Sequence, residues 1–334
     1  MQRTASVARI ALAMSVGIGA GLAPYDVAFA TQRTFVRSDG VDANPCSITA
    51  PCRSFGAAMA LTAAGGEIIV LDSAGYGKVT VTQSVSIIAP QGIYAGISVF
   101  PGEDGVTINS AGAAVVLRNL PINGQGGNTG IRIAAASRVH INATYGICIS
   151  TSSTFSLNRS RVERNGFNGM GVDVVAPTSL TIAESLIATN SGHGLLLRAG
   201  NPTQSTVSVS TTELVANTLS GIDALSAGSG GLLQLAVARS TLRGNGARGA
   251  YLLTTSPGIV AADFHDNVVT QNSASVLFAD GAGVSVTASN NSVTQNNYGL
   301  AQDTGATFEV FGNNAVRNDA TSDIFGTMTP VPPL

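Results

Sequence analysis

The chain has 334 residues, of which 44% are hydrophobic, 5% aromatic and 11% charged, and its formal net charge is −2. A hydrophobic fraction of this size can build a large core, which excludes an intrinsically disordered chain. Only one lysine, Lys78, is present. Nucleic acids and acidic membranes recruit dense positive charge, so the composition argues against both as partners.

The N-terminus has the pattern of an export signal. Arg3 and Arg9 precede an apolar run from Ile10 to Ala23, and Ala28-Phe29-Ala30 is a small-x-small cleavage sequence. This pattern predicts a secretory signal peptide over residues 1–30. The apolar run is shorter than the roughly 20 residues of a membrane span, although a retained N-terminal anchor is the alternative. We therefore expect a secreted or periplasmic protein without a membrane span in its mature chain.

Export would place the cysteines in an oxidising compartment. Cys46 and Cys52 are six positions apart in a Pro-containing segment, which favours a local disulfide and leaves Cys148 unpaired. A metal site is the alternative, but no histidine or second cysteine pair lies nearby in the sequence. We predict the disulfide and no metal site.

A repeat of 22 to 28 residues covers the second half of the chain. It is marked by a column of asparagines: Asn165, Asn190, Asn217, Asn245, Asn272, Asn296 and Asn318. Five residues before each of them is a small polar residue: Ser160, Ser185, Thr212, Ser240, Asn267, Asn291 and Asn313. Apolar residues stand ten, eight and three positions before each asparagine. The pair at ten and eight alternates with polar neighbours, as in a half-buried strand.

A unit this short, with strands and no helical period, cannot bury its own apolar face and must stack on its neighbours. The repeat therefore predicts an all-β fold, a single right-handed parallel β-helix of about ten coils. We expect Asn165, Asn190, Asn217, Asn245, Asn272 and Asn296 to form one buried ladder at a corner, because asparagine tolerates left-handed backbone and stacked amides can hydrogen-bond between coils. A leucine-rich repeat, the main rival, would show several leucines per unit and helical outer arcs.

Weaker strand patterns upstream extend the predicted β-helix over residues 67–325. Phe55, Ala58, Met59 and Thr62 share one helical face, so a capping helix is predicted from Arg53 to Ala64, ended by Gly65-Gly66. Residues 31–66 would then form an N-terminal cap and residues 326–334 a tail. The coil over residues 131–147 has only 16 residues and lacks a third strand. Variation in coil length maps to one corner, where solenoids usually carry binding loops.

Several segments resemble a group of exported bacterial right-handed β-helix repeat proteins. They are Thr34-Phe35-Val36, Asp42 to Cys46, Ala50 to Arg53, Ala63 to Ile68, Val116 to Gly124 and Gly312 to Val316. The resemblance spans nearly the whole mature chain. It implies the fold of pectate lyases, polygalacturonases and alginate epimerases, in a group that mostly lacks assigned activity.

Aligning the coils on their glycine-led strands gathers ionisable residues on one outer face. The candidate catalytic set is Asp173, His193, Arg198, Asp223, Arg248 and Tyr251. If the protein acts on uronates, Arg198 would bind the substrate carboxylate and His193 or Arg248 would be the base. Asp173 and Asp223 would hold a cation or orient the arginines. The other interpretation is an exposed ladder of alternating charges on a solvated sheet.

Two functions follow from this face. The first is a non-enzymatic protein that binds polysaccharide or another envelope component, since the solenoid is complete and the catalytic set is not. The second is a lyase or epimerase acting on uronate polymers, for which Ca²⁺ could serve as cofactor. Hydrolysis of the polygalacturonase kind is disfavoured, because Gly192-His193-Gly194 is present but no adjacent Asp-Asp pair exists. We expect a monomer without a required cofactor.

Overall fold

The structure is a computed structural model. It describes residues 30–125, 127–135, 138–144, 146–149, 151, 153–174, 177–200, 204–227, 230–255 and 257–332. The signal peptide lies outside the described residues and stays a prediction. Within the described residues, no helix is long and apolar enough to cross a membrane.

The described elements are one helix and 33 strands. The first twelve are β1 (Thr31–Val36), α1 (Phe55–Leu61), β2 (Thr62–Val70), β3 (Ala74–Gly75), β4 (Val79–Val81), β5 (Val85–Ile88), β6 (Ala95–Val99), β7 (Asp104–Ile108), β8 (Ala114–Gly124), β9 (Thr129–Ile133), β10 (Arg138–Thr144) and β11 (Ile147–Ile149). The next eleven are β12 (Thr154–Asn158), β13 (Arg161–Glu163), β14 (Met170–Val174), β15 (Ser179–Ala183), β16 (Leu186–Ala188), β17 (Leu195–Ala199), β18 (Gln204–Ser210), β19 (Glu213–Val215), β20 (Ile222–Ser226), β21 (Leu232–Ala238) and β22 (Thr241–Arg243). The last eleven are β23 (Ala250–Thr254), β24 (Ile259–His265), β25 (Val268–Thr270), β26 (Ser275–Asp280), β27 (Val284–Ser289), β28 (Ser292–Thr294), β29 (Tyr298–Asp303), β30 (Thr307–Phe311), β31 (Ala315–Arg317), β32 (Ser322–Phe325) and β33 (Thr329–Val331).

These strands form three sheets in which neighbouring strands run parallel. The first sheet has 15 strands and contains β1, β2, β5, β8, β10, β12, β15, β18, β21, β24, β27, β30 and β33, with β3 and β6 attached. The second sheet has 11 strands: β4, β7, β9, β11, β14, β17, β20, β23, β26, β29 and β32. The third sheet has seven strands: β13, β16, β19, β22, β25, β28 and β31. From β12 onward the chain visits the three sheets in turn, and the predicted parallel β-helix is confirmed, with about nine turns rather than ten.

The core is built from the inward residues of each strand. Phe155, Leu180 and Val207 are register partners on β12, β15 and β18 and are all buried. Alternation places every second side chain inside, so each apolar position of the repeat continues as a column through the stack. Burial of these columns is the main stabilising contribution of the fold.

The N-terminal end is closed by α1, which is shorter than the predicted helix from Arg53 to Ala64. Ser54 is the N-cap and its side chain accepts the N–H of Ala57 at 3.2 Å. Thr62 leaves the helix: its hydroxyl donates to the Ala58 carbonyl at 2.7 Å and lies 2.7 Å from the hydroxyl of Thr34. Thr62 begins β2, so the helix ends before Gly65-Gly66 because tertiary pairing with β1 competes with it.

Sheet pairing also reaches beyond the predicted range of residues 67–325. β1 pairs with β2 at the start, and β33 pairs with β30 at the end. Cys46 and Cys52 form the predicted disulfide, with their Cα atoms 4.7 Å apart. Both cysteines are buried, and the Cys46 carbonyl accepts the N–H of Phe35 in β1. The disulfide therefore fastens the first strand at the capped end.

The predicted asparagine ladder is present at the corner between the third and second sheets. From Asn190 to Asn296, each amide oxygen accepts two hydrogen bonds from the asparagine one coil earlier, one from its backbone N–H and one from its Nδ2. For Asn217, the acceptor for Asn190, these distances are 3.2 and 2.8 Å. Asn217 Nδ2 in turn donates to the Ile187 carbonyl and to Asn245 Oδ1. At the first rung, Asn165 Oδ1 accepts the Gly146 N–H at 2.6 Å. Asn190 through Asn296 are buried as expected, whereas Asn165 at the first rung is half-buried.

The left-handed residue at this corner is not the asparagine, as the sequence analysis assumed, but the residue before it. Positive φ angles from 53° to 65° occur at Arg164, Thr189, Ala216, Gly244, Gln271, Gln295 and Asn318. The asparagines follow this turn and point inward. Their role at the corner is hydrogen bonding rather than tolerance of left-handed backbone.

The last coil shifts the predicted register by one residue. Asp319, not Asn318, completes the ladder, because its Oδ1 accepts the Asn296 N–H at 2.7 Å and Asn296 Nδ2 at 2.9 Å. Likewise Val316, not Ala315, is in register with Val293. The extra residue lies between β30 and β31. An ionised carboxylate accepts but does not donate hydrogen bonds, so Asp319 suits the last rung.

A second ladder lies at the corner between the first and third sheets, in the small polar column of the repeat. The hydroxyl of Ser240 accepts the Thr212 N–H at 3.1 Å, and Asn267 Oδ1 accepts the Ser240 N–H at 2.9 Å. Its last rung is Asn314 rather than the predicted Asn313, with Oδ1 2.9 Å from the Asn291 nitrogen. Sequence analysis found this column but assigned it no hydrogen bonds.

The short coil is irregular as predicted. β11 follows β10 after two residues, and the third sheet begins only at β13. The variable segments over residues 199–205, 226–231 and 254–258 all connect the second sheet to the first, which places them at one corner. Residues 201–203, 228–229 and 256 lie outside the described part of the chain.

Candidate functional site

The candidate site is the outer face of the second sheet. Its strands start beside the asparagine ladder, where the backbone of one coil closely approaches the next. A Cβ atom on Gly194 would lie 2.7 Å from the Gly221 carbonyl oxygen and 2.8 Å from Asn217 Nδ2. Position 194 therefore requires glycine, because a side chain would collide with the next coil. This close approach of the two coils sets the register of the strands that follow. Leu195 and Leu197 of β17 then point inward, and Leu196 points outward.

The outward columns are those that the sequence alignment predicted. One column contains Arg132, Cys148, Gly171, Leu196, Asp223 and Tyr251. Asp173 and Arg198 are register partners in the next column. The side chain of Asp173 lies outside the described part of the structure, so its predicted role stays a prediction.

Three of the predicted residues meet around one carboxylate, in what we call the Asp223 cluster: His193, Arg198 and Asp223. Arg198 Nη1 lies 3.3 Å from Asp223 Oδ1, and His193 Nδ1 lies 3.7 Å from Asp223 Oδ2. The carboxylate comes from β20 and Arg198 from β17, while His193 lies two residues before the start of β17. Asp223 is only 9% exposed although it stands on the outer face. Its negative charge is therefore compensated within the protein.

His193 is poorly suited to act as a base in this arrangement. Burial lowers the pKa of His193 from its usual value, and the cation of Arg198 adds to this, while Asp223 opposes it. The backbone N–H of Ser220 donates to Nδ1 at 3.4 Å, so this ring nitrogen acts as an acceptor toward the backbone.

Arg248 and Tyr251 belong to a neighbouring group rather than to the Asp223 cluster. The guanidinium carbon of Arg248 lies 4.2 Å from the ring centroid of Tyr251 and 5.0 Å from that of Phe278. The hydroxyl of Tyr251 donates to Asp280 Oδ2 at 2.9 Å. Burial and this hydrogen bond raise the pKa of Tyr251 to about 12.

Aromatic side chains continue along the same face in an aromatic band, defined as Tyr251, Phe278, Tyr298 and Phe325. The rings of Tyr251 and Phe278 are stacked, with centroids 5.4 Å apart and planes 13° apart. Tyr298 and Phe325 meet edge to face at 5.7 Å. Ala301, in register between Phe278 and Phe325, has no exposed surface. The four rings thus form two contacting pairs on the strands β23, β26, β29 and β32, with Ala301 between Phe278 and Phe325.

Sequence reasoning missed Phe278, Asp280, Tyr298 and Phe325. The strand Ser275–Asp280 has no glycine before its first inward residue, so an alignment on glycine passed over this coil. The signal that could have found it is the regular spacing of the ladder, which places one second-sheet strand after each rung. Asn272 predicts a strand near residue 277 by that rule.

The arrangement limits which metal chemistry this face can support. Among the described side chains, no group of three His, Cys, Asp or Glu residues is close enough to hold a metal ion. Asp173 and Asp223 stand two coils apart in the sheet, which is about 10 Å at the usual strand spacing.

Comparisons with known proteins identify the fold. No protein-family profile and no curated protein sequence matches the chain. Among solved structures, pectate lyase Pel9A is similar with a TM-score of 0.54 and 15% identity, over 90% of this chain and 80% of that one. A rhamnogalacturonan lyase gives a TM-score of 0.45 and 12% identity, over 87% and 86%. At such low identity the likeness concerns architecture, and the chain has the fold of a pectate-lyase-like β-helix protein.

Proposed function

We propose that this protein is an exported, non-enzymatic β-helix protein that binds polysaccharide through the outer face of its second sheet. The observation that carries the proposal is the aromatic band. Aromatic residues make up only 5% of the chain, yet four of them are gathered in this one band. Aromatic rings supply large contact area at low conformational cost and are frequent in binding surfaces.

The dimensions of the band suit a polymer rather than a single small molecule. It crosses four successive strands, from β23 to β32, which is about 14 Å at the strand spacing of about 4.8 Å. This length corresponds to a few sugar units. A polysaccharide chain would lie along the solenoid axis, across the strands, with its ring faces on the aromatic side chains.

The ionisable groups beside the band favour binding over catalysis. General base catalysis needs an available group whose pKa lies near the working pH. Asp223 is compensated by Arg198, His193 faces the Ser220 N–H, and Tyr251 is engaged with Asp280. His193, Arg198, Asp223 and Tyr251 thus each have a partner in the protein, which supports a recognition surface.

Export supports a ligand in the cell envelope. The Cys46–Cys52 disulfide is compatible with an oxidising compartment, where such bonds form and persist. Together with the predicted signal peptide, it supports a location in the periplasm or outside the cell. There it would act as a monomer on surface polysaccharide or on another envelope component.

Glycan arrays and pull-down from envelope fractions test the proposal with the mature protein. We expect selective glycan binding that falls about tenfold or more in the double variant Phe278→Ala, Phe325→Ala, because both rings leave the band. Phe100→Ala is the matched control, since Phe100 is 55% exposed and lies in the N-terminal half. Absence of any ligand and of envelope association would contradict the proposal, as would an equal loss in the control.

A uronate lyase or epimerase is the second candidate, favoured by the meeting of His193, Arg198 and Asp223. Incubation of the mature protein with pectate and alginate, with and without Ca²⁺, tests it. Unsaturated products would appear as ultraviolet absorbance, and epimerised residues by nuclear magnetic resonance. Under the binding proposal neither product forms. Turnover that is lost in Arg198→Ala would establish the second candidate instead.

A further inference from the structure

Arg248 differs from the other cations on the outer face of the second sheet. Arg132 is paired with Asp104 at 2.6 Å, and Arg198 is paired with Asp223 at 3.3 Å. Arg248 forms no ion pair with any described side chain, and its buried Nε has no hydrogen-bond partner. Its charge is thus uncompensated within the described part of the face.

The guanidinium is nevertheless held in place. It lies 4.2 Å from the centroid of Tyr251 and 5.0 Å from that of Phe278, and these two rings stack on each other. Cation–π contact with two rings restricts the long side chain before any ligand arrives. A restrained guanidinium loses less conformational entropy when it forms a hydrogen bond, which favours tight and directional binding.

The planar guanidinium has several N–H donors in a fork that matches the oxygens of an oxyanion. We propose that Arg248 is the specificity-determining residue of this face and that it binds an oxyanion, a carboxylate or a sulfate, carried by a polysaccharide whose next sugar ring lies on the aromatic band. This inference rests on the proposed polysaccharide binding. It assigns to Arg248 the anion recognition that sequence analysis gave to Arg198, because Arg198 is already neutralised by Asp223.

Paired ligands that share a backbone and differ in charge test the inference. The probes are polygalacturonate against its methyl-esterified form, and dextran sulfate against dextran, measured by calorimetry at two salt concentrations. We expect the wild type to prefer one charged probe over its uncharged partner, and the preference to shrink at high salt because the attraction is electrostatic. The pair that shows the preference distinguishes carboxylate from sulfate.

Three variants test whether Arg248 causes the preference for the charged probe. Arg248→Gln should weaken binding of the charged probe about tenfold and leave its uncharged partner within about twofold, because one charge-assisted contact is lost. Arg248→Lys should recover part of the loss, since it restores the charge without the planar fork. Arg243→Gln is the control, because Arg243 is exposed on the third sheet of the same coil and should bind as the wild type does. Thermal melting verifies that each variant is folded.

The outcomes separate this inference from the proposed function. Equal binding of charged and uncharged probes, or an unchanged preference in Arg248→Gln, overturns the role of Arg248 and leaves polysaccharide binding standing. An equal loss in Arg243→Gln also overturns it, since a nonspecific charge effect would then explain the preference. Failure of the wild type to bind any glycan or envelope fraction removes both.

Discussion

The two halves of the solenoid turn their corners by different means. In residues 65–112, the positive φ angles all belong to glycines: Gly65, Gly77, Gly92, Gly102 and Gly112. In residues 159–318, most belong to residues with side chains, such as Thr189 and Ala216, each followed by a ladder residue. Residues 65–112 thus use glycine turns, whereas residues 159–318 mostly use left-handed residues with side chains, many of them followed by a ladder residue.

This difference shows that a corner with a hydrogen-bonded ladder can place residues other than glycine in the left-handed conformation. Left-handed backbone costs a residue with a Cβ atom about 1–2 kcal/mol. A rung such as Asn217 makes hydrogen bonds to the coils on both sides, and each contributes about 1 kcal/mol net. The rung therefore offsets the cost of Ala216 beside it. The N-terminal half lacks the asparagine column and is held instead by glycine turns, α1 and the disulfide.

The largest expected effect is at a central rung. Asn217→Ala should lower the free energy of unfolding by about 2–3 kcal/mol, because buried donors and acceptors in two neighbouring coils lose their partner. Chemical denaturation monitored by circular dichroism measures it. Asn109→Ala is the control, since Asn109 is exposed outside the ladders and should change stability by less than about 0.5 kcal/mol. Equal stability of the two variants would contradict a stabilising ladder.

The disulfide should rank second. Replacing both Cys46 and Cys52 by serine should cost about 2 kcal/mol, since a short closed loop restricts the unfolded chain only moderately. Urea unfolding without reductant measures the loss, and reductant should abolish the difference from wild type. Cys148→Ser is the matched control. If it costs as much as the double replacement, the loss does not come from the cross-link.

A glycine turn in the N-terminal half should rank third. Gly112 has a φ angle of 75°, and a Cβ atom added there would meet nothing within 4 Å. Gly112→Ala should therefore lower stability by about 1 kcal/mol through backbone strain alone. The midpoint of denaturant unfolding measures it. A neutral result would mean that this turn relaxes and does not require glycine.

The smallest expected effect is the reverse exchange in the C-terminal half. Ala216→Gly removes strain at a φ angle of 54° but adds entropy to the unfolded chain, so we expect a gain of only about 0.5 kcal/mol. Ala247→Gly, in the next coil and without positive φ, should instead lose about 0.5–1 kcal/mol. Thermal melting of the pair measures the contrast. The same sign in both variants would show that left-handed strain is not what sets residue choice at this corner.

Much of the fold could be predicted because the repeat carries physical information at fixed spacing. Alternating apolar residues such as Phe155 and Leu157 specify which side of a strand is buried, and the parallel stack follows from that. The prediction for the last coil was wrong by one residue. Asn318 has the residue type expected in the ladder, but Asp319 accepts the hydrogen bonds from Asn296 instead. The helix end was wrong because Thr62 bonds to Thr34, a partner that local sequence does not reveal.

Sequence alone determined most of the inward residues and the outer columns that Arg198, Asp223 and Tyr251 join, because the two-residue period of a strand and the length of a coil are encoded locally. The tertiary structure decided how the outward side chains pair. Arg198 turns to Asp223 one coil on, while Arg248 lies over the rings of Tyr251 and Phe278. Such contacts depend on side-chain conformations and on the burial of residues in neighbouring coils, as for Arg198 with Asp223 and Arg248 with Phe278. The periodicity of the sequence constrains neither the conformation nor the burial of these side chains. The unpaired charge of Arg248 is therefore visible only in the folded stack.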